Sequence, residues 1–354
     1  MPINWITEIE ELSSAVLTVD IQSAQGLNDD DRLMYPTLMP REDVESVKIS
    51  NLGEIAFRPA SDRRAWNQRG RQIPLVLPKI RDLEIEPIEA FFTIGEREQQ
   101  ALRERFRNNH QLMADQVKGE IPVRVRGLAA ANERRIELDV FEAWVNGIVT
   151  VRNPETGESY AVSLDFDTDR YETAGTAWSD PGVNAYDELV AWFISAMGAS
   201  GALSGVALRQ AVLNEVLKDA PTLAGGEAMS LARLSDRISQ DTGSPFRFYN
   251  MDILPDIDRF TDGGIATAPV SRWPDASKIA AVPADQRIGR TKWAPVGRAM
   301  DLDAAVPDAK IDVNGQASFP ETSNNGRNYT NEVQCNVFPM PNEKRISVMD
   351  TLIG

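Results

Sequence analysis

One cysteine, Cys335, and one histidine, His110, are all that 354 residues contain of either type. A lone cysteine excludes an intramolecular disulfide and cannot build a thiolate metal site. It fits a reducing compartment. A lone histidine leaves side-chain acid–base chemistry near neutral pH one ordinary candidate. His110 lies on an apolar helical stripe with no acid or nucleophile brought to it by spacing, so it reads as a packing residue. Positive charge is also scarce: 37 Lys and Arg stand against 53 Asp and Glu, for a net charge of -16. A nucleic-acid reader needs a basic footprint to displace counterions from phosphates, and this balance argues against one. Phosphate-cradling motifs of the Gly-Lys-Ser/Thr and Gly-x-Gly-x-x-Gly kinds are absent. No apolar run approaches the ~20 residues that span a bilayer. The opening Met1-Pro2-Ile3-Asn4-Trp5, followed by Glu8, Glu10 and Glu11, lacks the basic and apolar regions of a signal peptide. The expectation is synthesis in the cytosol.

What is present is an ordinary globular composition, 42% hydrophobic and 25% charged. The length suits roughly two domains at ~150 residues each. Residues 1–40 mix acidic and apolar positions, carry Asp29-Asp30-Asp31 and end in Tyr35-Pro36 and Met39-Pro40, which predicts an extended arm with little core of its own. Short β-like stretches follow from Val44 to Phe57 and from Ile73 to Ile88. Pro74, Pro78 and Pro87 make the second an edge strand. Between them, Arg58, Arg63, Arg64, Arg69 and Arg71 face a single acid, Asp62, with Trp66 in their midst. That is a long basic hairpin.

Leu102, Phe106, His110, Met113 and Val117 recur at helical steps, predicting a helix over Glu96 to Val117. After Pro122 a second and longer helix is predicted. Leu128, Asn132, Ile136, Val140 and Trp144 recur every four residues, with Leu138, Phe141 and Val145 alongside. At ~20 residues it would be about 30 Å long, and Gly147 ends it or bends it. Ile148 to Val151 and Tyr160 to Phe166 read as strands, and Asn184 to Met197 as an amphipathic helix. Gly198 to Gly205 reads as a small-residue loop, with helical patterns at Val206 to Leu217 and Met229 to Ile238. Loops and strands mix from Asp252 to Asn325. Val333 to Phe338 and Ile346 to Leu352 are β-compatible.

Few residues offer chemistry. Ser200, in Gly198-Ala199-Ser200-Gly201, lacks the glycine spacing of a nucleophile elbow and follows a helix rather than a strand. Asp165, Asp167 and Asp169 would line one face of a strand. A calcium loop needs glycine at its sixth position and glutamate at its twelfth, where this chain has Arg170 and Thr176, so the three read as a solvated strand edge. A metal-dependent hydrolase built on them is the alternative from another functional class. The basic hairpin is the strongest local signal. Its readings are a solvated loop, a nucleic-acid contact, or a projecting hairpin whose guanidinium forks meet carboxylates on a neighbouring copy, with Trp66 at the contact centre.

The long helix to Trp144 is followed by Thr156-Gly157-Glu158, then the strand Tyr160-Ala-Val-Ser-Leu-Asp-Phe166. Gly175-Thr-Ala-Trp178-Ser179 and a helix with the acidic start Asp187-Glu188 come next. In this order the tract, firm from Val123 to Phe193, resembles the major head protein family of phage lambda. The likeness continues loosely through Arg290-Thr-Lys-Trp293-Ala-Pro295 and from Cys335-Asn-Val-Phe-Pro339 to Ile353. The resemblance implies an α+β chain of the Hong Kong 97-type capsid fold. Its parts would be an N-terminal arm (1–40), an extended E-loop hairpin (41–90), a peripheral domain with a spine helix (91–183), an axial domain (184–325) and C-terminal strands returning to the core (326–354). The helical segment Glu96 to Val117 is a larger insert before the spine than the family leads one to expect.

The resemblance further implies a major capsid protein of a tailed phage or prophage. Such a protein self-assembles in the host cytoplasm into hexamers and pentamers of an icosahedral shell that encloses double-stranded DNA without reading it. The hairpin residues Arg58, Arg63, Arg64, Trp66, Arg69 and Arg71 would then make inter-subunit contacts and the arm would clasp another subunit, with no cofactor and no enzymatic activity. The acidic excess would face the packed DNA. Because the chain opens on a short arm, the expectation is an unprocessed N-terminus and a separate scaffolding protein, together with a portal and a decoration protein. An encapsulin-like cargo shell shares the fold and is the nearer alternative.

Overall fold

The computed structural model describes residues 13–24, 33–52, 80–105, 110–152, 158–221, 229–253, 257–260, 266–305, 311–323 and 328–353. The architecture is mixed α+β, built around one long helix, α4 (His110–Asn146), of 37 residues. Among the described residues there are two five-stranded sheets and three two-stranded ladders.

The first sheet contains β1 (Arg41–Asp43), β4 (Pro87–Ile94), β13 (Gly289–Ala294), β14 (Ala317–Ser323) and the 14-residue β15 (Asn328–Pro341). β15 is its axis. Asn336 pairs with both Ala294 and Pro87, and Gln334 with both Ala317 and Glu89. So β13 and β14 follow one another along one edge of β15 and β4 takes the other. The second sheet runs β7 (Tyr171–Thr173), β16 (Val348–Asp350), β12 (Lys278–Pro283), β8 (Leu203–Leu208), β9 (Phe248–Asn250). Helices α5 (Ala185–Ser200), α6 (Gln210–Asp219) and α7 (Leu231–Thr242) cover it, burying Leu189, Phe193, Val212, Val216, Leu234 and Ile238 against Val206 and Ile279.

Periodicity placed the helix core correctly. Asn132, Ile136, Val140 and Trp144 are buried, as are Phe141 and Val145. Its carboxyl half packs against both sheets, touching Trp293 and Val337 of one and Ala280 and Val348 of the other. Gly147 ends it in the left-handed region at φ 66°, where a β-carbon would come within 2.9 Å of the Tyr171 hydroxyl.

The amino-terminal part departs from expectation. Instead of one helix to Val117 and another after Pro122, α3 (Glu96–Arg105) ends early and α4 runs unbroken through Pro122. Proline in a helix interior removes a hydrogen bond. Here packing carries the helix across: Ile121, Val125 and Ala129 form one buried stripe against Ile94, Tyr329 and Val333. His110 is the first residue of α4, and its side chain lies outside the described ones.

Other boundaries moved for local reasons. The Ile73 to Ile88 stretch divides into β3 (Ile80–Glu84) and the start of β4, which Pro87 opens. The next strand, β6 (Ser159–Ser163), pairs antiparallel with β5 (Ile148–Arg152) and stops before Asp165, whose φ of 48° breaks the alternation. The small-residue loop is the end of α5 and the start of β8, and Val206 to Leu208 is strand rather than helix. Val206 and Leu208 are buried on the helix-covered face and Ala207 on the other, and such short apolar runs do not declare their period.

Candidate assembly surfaces

The arm is not bare. Residues Ser14–Ala24 form helix α1, with Leu17, Thr18 and Ile21 buried against α4 and β14. Ser14 Oγ donates to the Ser318 carbonyl at 2.6 Å and the Ser318 amide donates to Thr18 Oγ1 at 2.9 Å. Gln22 Nε2 donates to the carbonyls of Asp312 and Gln316, both at 2.9 Å. Arg126 holds Asp20 with a two-pronged contact at 2.8 and 2.6 Å. This part of the expected extended arm is therefore helical and docked on its own subunit, because Leu17 and Ile21 share a face with Thr18. Residues 1–12 and 25–32 lie outside the described ones.

A second anchor is electrostatic. Residues Tyr35–Leu38 form a single turn, α2, whose first amides point at Glu137 on α4. The Glu137 carboxylate accepts from Met34 N at 3.0 Å and from Tyr35 N at 2.7 Å, and Arg272 Nη1 donates to it at 3.1 Å. Both partners of this ion pair are almost wholly buried, at 0% and 1% side-chain exposure. Burial pushes the Glu137 carboxyl above its ordinary range, opposed by the Met34 and Tyr35 amides and by Arg272. Burial likewise raises the Tyr35 phenol, with the Glu133 charge adding to it. Trp273, next to Arg272, stands edge-on to Trp144 at 5.7 Å between ring centroids and at 84°. Three segments meet here: arm, long helix, and the approach to β12.

Beyond this clasp the chain joins the first sheet. Ile288 N donates to the Leu38 carbonyl at 2.8 Å, and β1 then pairs in parallel with β13, Arg41 opposite Thr291. The Arg41 guanidinium lies 4.7 Å from the Trp293 ring centroid and also contacts Asp43 and Asp312. Sequence reasoning missed the clasp. Its local signal was an acid, Glu137, four residues before Phe141 and seven before Trp144, on the stripe that those two continue.

The basic hairpin residues Arg58, Arg63, Arg64, Trp66, Arg69 and Arg71 lie outside the described residues. Their flanks are described: β2 (Lys48–Leu52) pairs antiparallel with β3, Lys48 opposite Glu84 and Leu52 opposite Ile80. The candidate aspartates are not on one strand. Asp165 accepts from Ser163 Oγ at 2.9 Å, the Asp167 amide donates to Glu343 Oε1 at 2.6 Å, and Asp169 lies within a single 3-10 turn. No group of three metal-ligating side chains occurs among the described residues, these included. Ser200 Oγ shares a hydrogen with Ser347 Oγ at 2.8 Å, joining α5 to the carboxyl-terminal strand region. Trp178 is buried, and its Nε1 donates to Glu188 Oε2 at 2.8 Å, so the tryptophan segment is tied to the acidic first turn of α5. Burial raises the Cys335 thiol, which leaves it unreactive. No described helix is long and apolar enough to cross a membrane.

No family model and no curated protein matches the chain. Solved structures do. A protein described as the capsid protein of a prophage of E. coli CFT073 superposes with a TM-score of 0.51 at 9% identity, over 94% of this chain and 97% of its own. This chain has a capsid-protein fold. Two further structures align over comparable lengths at lower scores. A phage-related protein from Bordetella bronchiseptica RB50 has a TM-score of 0.45 and 12% identity, over 95% of this chain and 96% of its own. The virus-like particle from Pyrococcus furiosus has a TM-score of 0.45 and 12% identity, over 96% and 98%. At these identities the likeness is one of fold.

Proposed function

We propose that the chain is the major capsid protein of a tailed double-stranded DNA phage or prophage, with a structural rather than an enzymatic role. The observation that carries this reading is the end-to-end superposition on a prophage capsid protein, since a shell subunit devotes its whole chain to shape. The lambda-type order of motifs from Val123 to Phe193 supports it independently. On this reading α4 is the spine of the Hong Kong 97-type fold and the ladder of β2 and β3 is the root of the E-loop. The sheet under α5, α6 and α7 belongs to the axial domain.

Assembly is then the mechanism. Identical contacts repeated around hexamers and pentamers sum to a stable shell, while each alone is weak enough for a misplaced subunit to leave. Residues 58–71 reach a neighbouring copy, and the undescribed part of the arm clasps another. The net charge of -16 keeps the inner wall from binding the DNA it encloses. A separate scaffolding protein, a portal and a decoration protein complete the particle, and assembly takes place in the host cytoplasm.

Sizing and negative-stain microscopy of the recombinant chain test the reading. Capsomers or closed shells are the expected result. A monodisperse monomer with metal-dependent turnover would overturn it, and shells that fill with a protein cargo rather than DNA in the host would favour an encapsulin-like compartment.

A further inference from the structure

Three side chains of α1 bond to the backbone of an edge strand. β14 pairs with β15 along one side and, among the described residues, with no strand along the other. Ser318 turns its backbone to that open side, where its amide donates to Thr18 Oγ1 at 2.9 Å and its carbonyl accepts from Ser14 Oγ at 2.6 Å. Gln22 Nε2 reaches the Gln316 carbonyl at 2.9 Å. Ser14, Thr18 and Gln22 stand four residues apart, so one stripe of the helix lies along the strand. The pitches match, since four helical residues rise about 6 Å and two strand residues about 7 Å. Thr18 thus meets Ser318, and Gln22 meets Gln316 two positions back. The approach is close: a β-carbon on Gly315 would come within 2.8 Å of Gln22 Nε2.

The edge so covered is one that would otherwise invite another chain. An unpaired strand offers a row of backbone donors and acceptors, and short length, charge or proline blunts it. β1, elsewhere in the same sheet, is three residues long and charged throughout, Arg41-Glu42-Asp43. β14 has seven residues and opens on the uncharged run Ala317-Ser318-Phe319-Pro320. Backbone groups alternate between the two sides of a strand, so Pro320 faces the same way as Ser318, and it has no amide to give. Proline closes that step of the edge, and α1 covers the part before it. Thr18 and Ser318 are both 0% exposed, so the Ser318 amide is sealed from water and depends on the hydroxyl.

We propose that α1 guards the β14 edge: Ser14, Thr18 and Gln22 stand in for a missing strand and keep a second copy of this chain from pairing there by strand addition. The guard acts whether or not the chain builds shells. Its anchorage suits a cover laid on after the sheet has formed, because Leu17 and Ile21 dock on the stripe of Ile121 and Val125 while the polar side chains read backbone already in place. Wherever many copies meet, a stray strand pair competes with every ordered contact. Docking α1 removes that route.

Hydrogen exchange and self-association of the full chain test this. Thr18→Val with Gln22→Leu keeps the shape of the stripe and removes its hydrogen bonds. The double variant is expected to exchange the Ser318 amide about tenfold faster or more, while the amides of α4 stay as slow as before. It should also gain an intermolecular β-sheet signal in the infrared at protein concentrations where the unaltered chain has none. Adding Ser318→Pro should abolish that signal, because proline cannot donate at the edge. Thr18→Ser keeps the hydroxyl and should behave as the unaltered chain. If circular dichroism shows the double variant unfolded, Thr18→Val alone is read in the same way. Unchanged exchange at Ser318 would mean that α1 does not hold the edge. Faster exchange without association would mean that the edge needs no guard, and association that survives Ser318→Pro would place the contact on another surface. Each of these three results overturns the proposal.

Discussion

Glu137 and Asp285 each meet one arginine, and each pair joins segments far apart in the chain, but one pair is dry and the other wet. Glu137 and Arg272 are sealed beneath α2 and the tryptophans, 135 residues apart. Asp285 and Arg345, 60 residues apart, lie at 2.6 Å with 50% and 40% of their side chains exposed. The same chemistry has different consequences. In water an ion pair returns little more than its hydration is worth. In the interior its removal strands a charge, so the pair acts as a lock on geometry rather than as a large source of net stability. The dry pair sits where arm, long helix and second sheet must keep fixed angles, and the wet pair where two surface turns touch.

The largest effect should come from breaking the dry pair on one side. Glu137→Ala leaves the Met34 and Tyr35 amides buried without their acceptor and removes the carboxylate that Arg272 meets in the interior, and is expected to cost about 3–5 kcal/mol in chemical denaturation. The combined Glu137→Leu and Arg272→Met variant removes both charges and should recover the part of that loss due to the buried charge, while the Met34 and Tyr35 amides stay without an acceptor and the arm is less firmly placed. Proteolysis near residue 33 then separates locking from stability: cleavage as fast in the double variant as in Glu137→Ala, at a higher stability, is the expected result. Equal protection would mean that the pair is not what holds the arm.

A change that touches no charge sharpens the contrast. Gly147 closes α4 at φ 66° against the Tyr171 hydroxyl, whose oxygen donates to the Trp144 carbonyl at 3.4 Å. Gly147→Ala meets both an unfavourable backbone region and a crowded contact, and about 1–2 kcal/mol is the expected cost from the backbone alone. Thermal melting checks it. A loss much smaller than that would show that the dry region yields at its edge.

What the chain disclosed in advance follows the same division. Ile136, Val140 and Trp144 announced the long helix because its partners lie all along it, and a four-residue step survives whatever it packs against. The clasp was hidden because Glu137 finds Met34 and Arg272 at separations of 103 and 135 residues, which no local pattern encodes. Helix α1 was hidden for a different reason: Thr18, buried against Ser318, breaks the apolar face at its centre. Pro122 misled because a local rule, that proline interrupts helices, was overridden by the Ile121, Val125 and Ala129 stripe. The aspartates looked like a face only while Asp165 was assumed to continue β6. That Phe319, Glu332 and Phe91 form one row across three strands became visible only with their register.

On the wet side, Arg126→Ala frees Asp20 at the surface of the α1 contact and should cost about 0.2–1 kcal/mol, less at high salt. Melting at two salt concentrations distinguishes this from the dry pair, whose loss should change little with salt. A salt-independent loss would mean that the Arg126 stem, packed beside α1, matters more than its charge.

The smallest effect is one of pH. Asp285 is held below the ordinary carboxylate range chiefly by its hydrogen bond from Arg345, against the opposing effect of partial burial and with help from the Arg287 amide. Its folded-state affinity for a proton is thus weaker than in the unfolded chain. The unfolded state binds more protons wherever pH lies near or below the ordinary carboxylate value, so stability from this pair is present above that value and fades as pH falls through the lowered one. Exposure keeps the size to a few tenths of a kcal/mol by the standard of surface pairs. Asp285→Asn should therefore lower the melting temperature slightly at neutral pH and converge with the unaltered chain under acid. Glu137 has the opposite sign. Its carboxyl is raised, so the folded state holds the proton more tightly, and its contribution to stability declines as pH rises from the ordinary carboxylate value through the raised one. Glu137→Gln, compared with the unaltered chain, should gain ground as pH rises where Asp285→Asn loses it. Two pH profiles that slope the same way would mean that burial does not govern the Glu137 carboxyl.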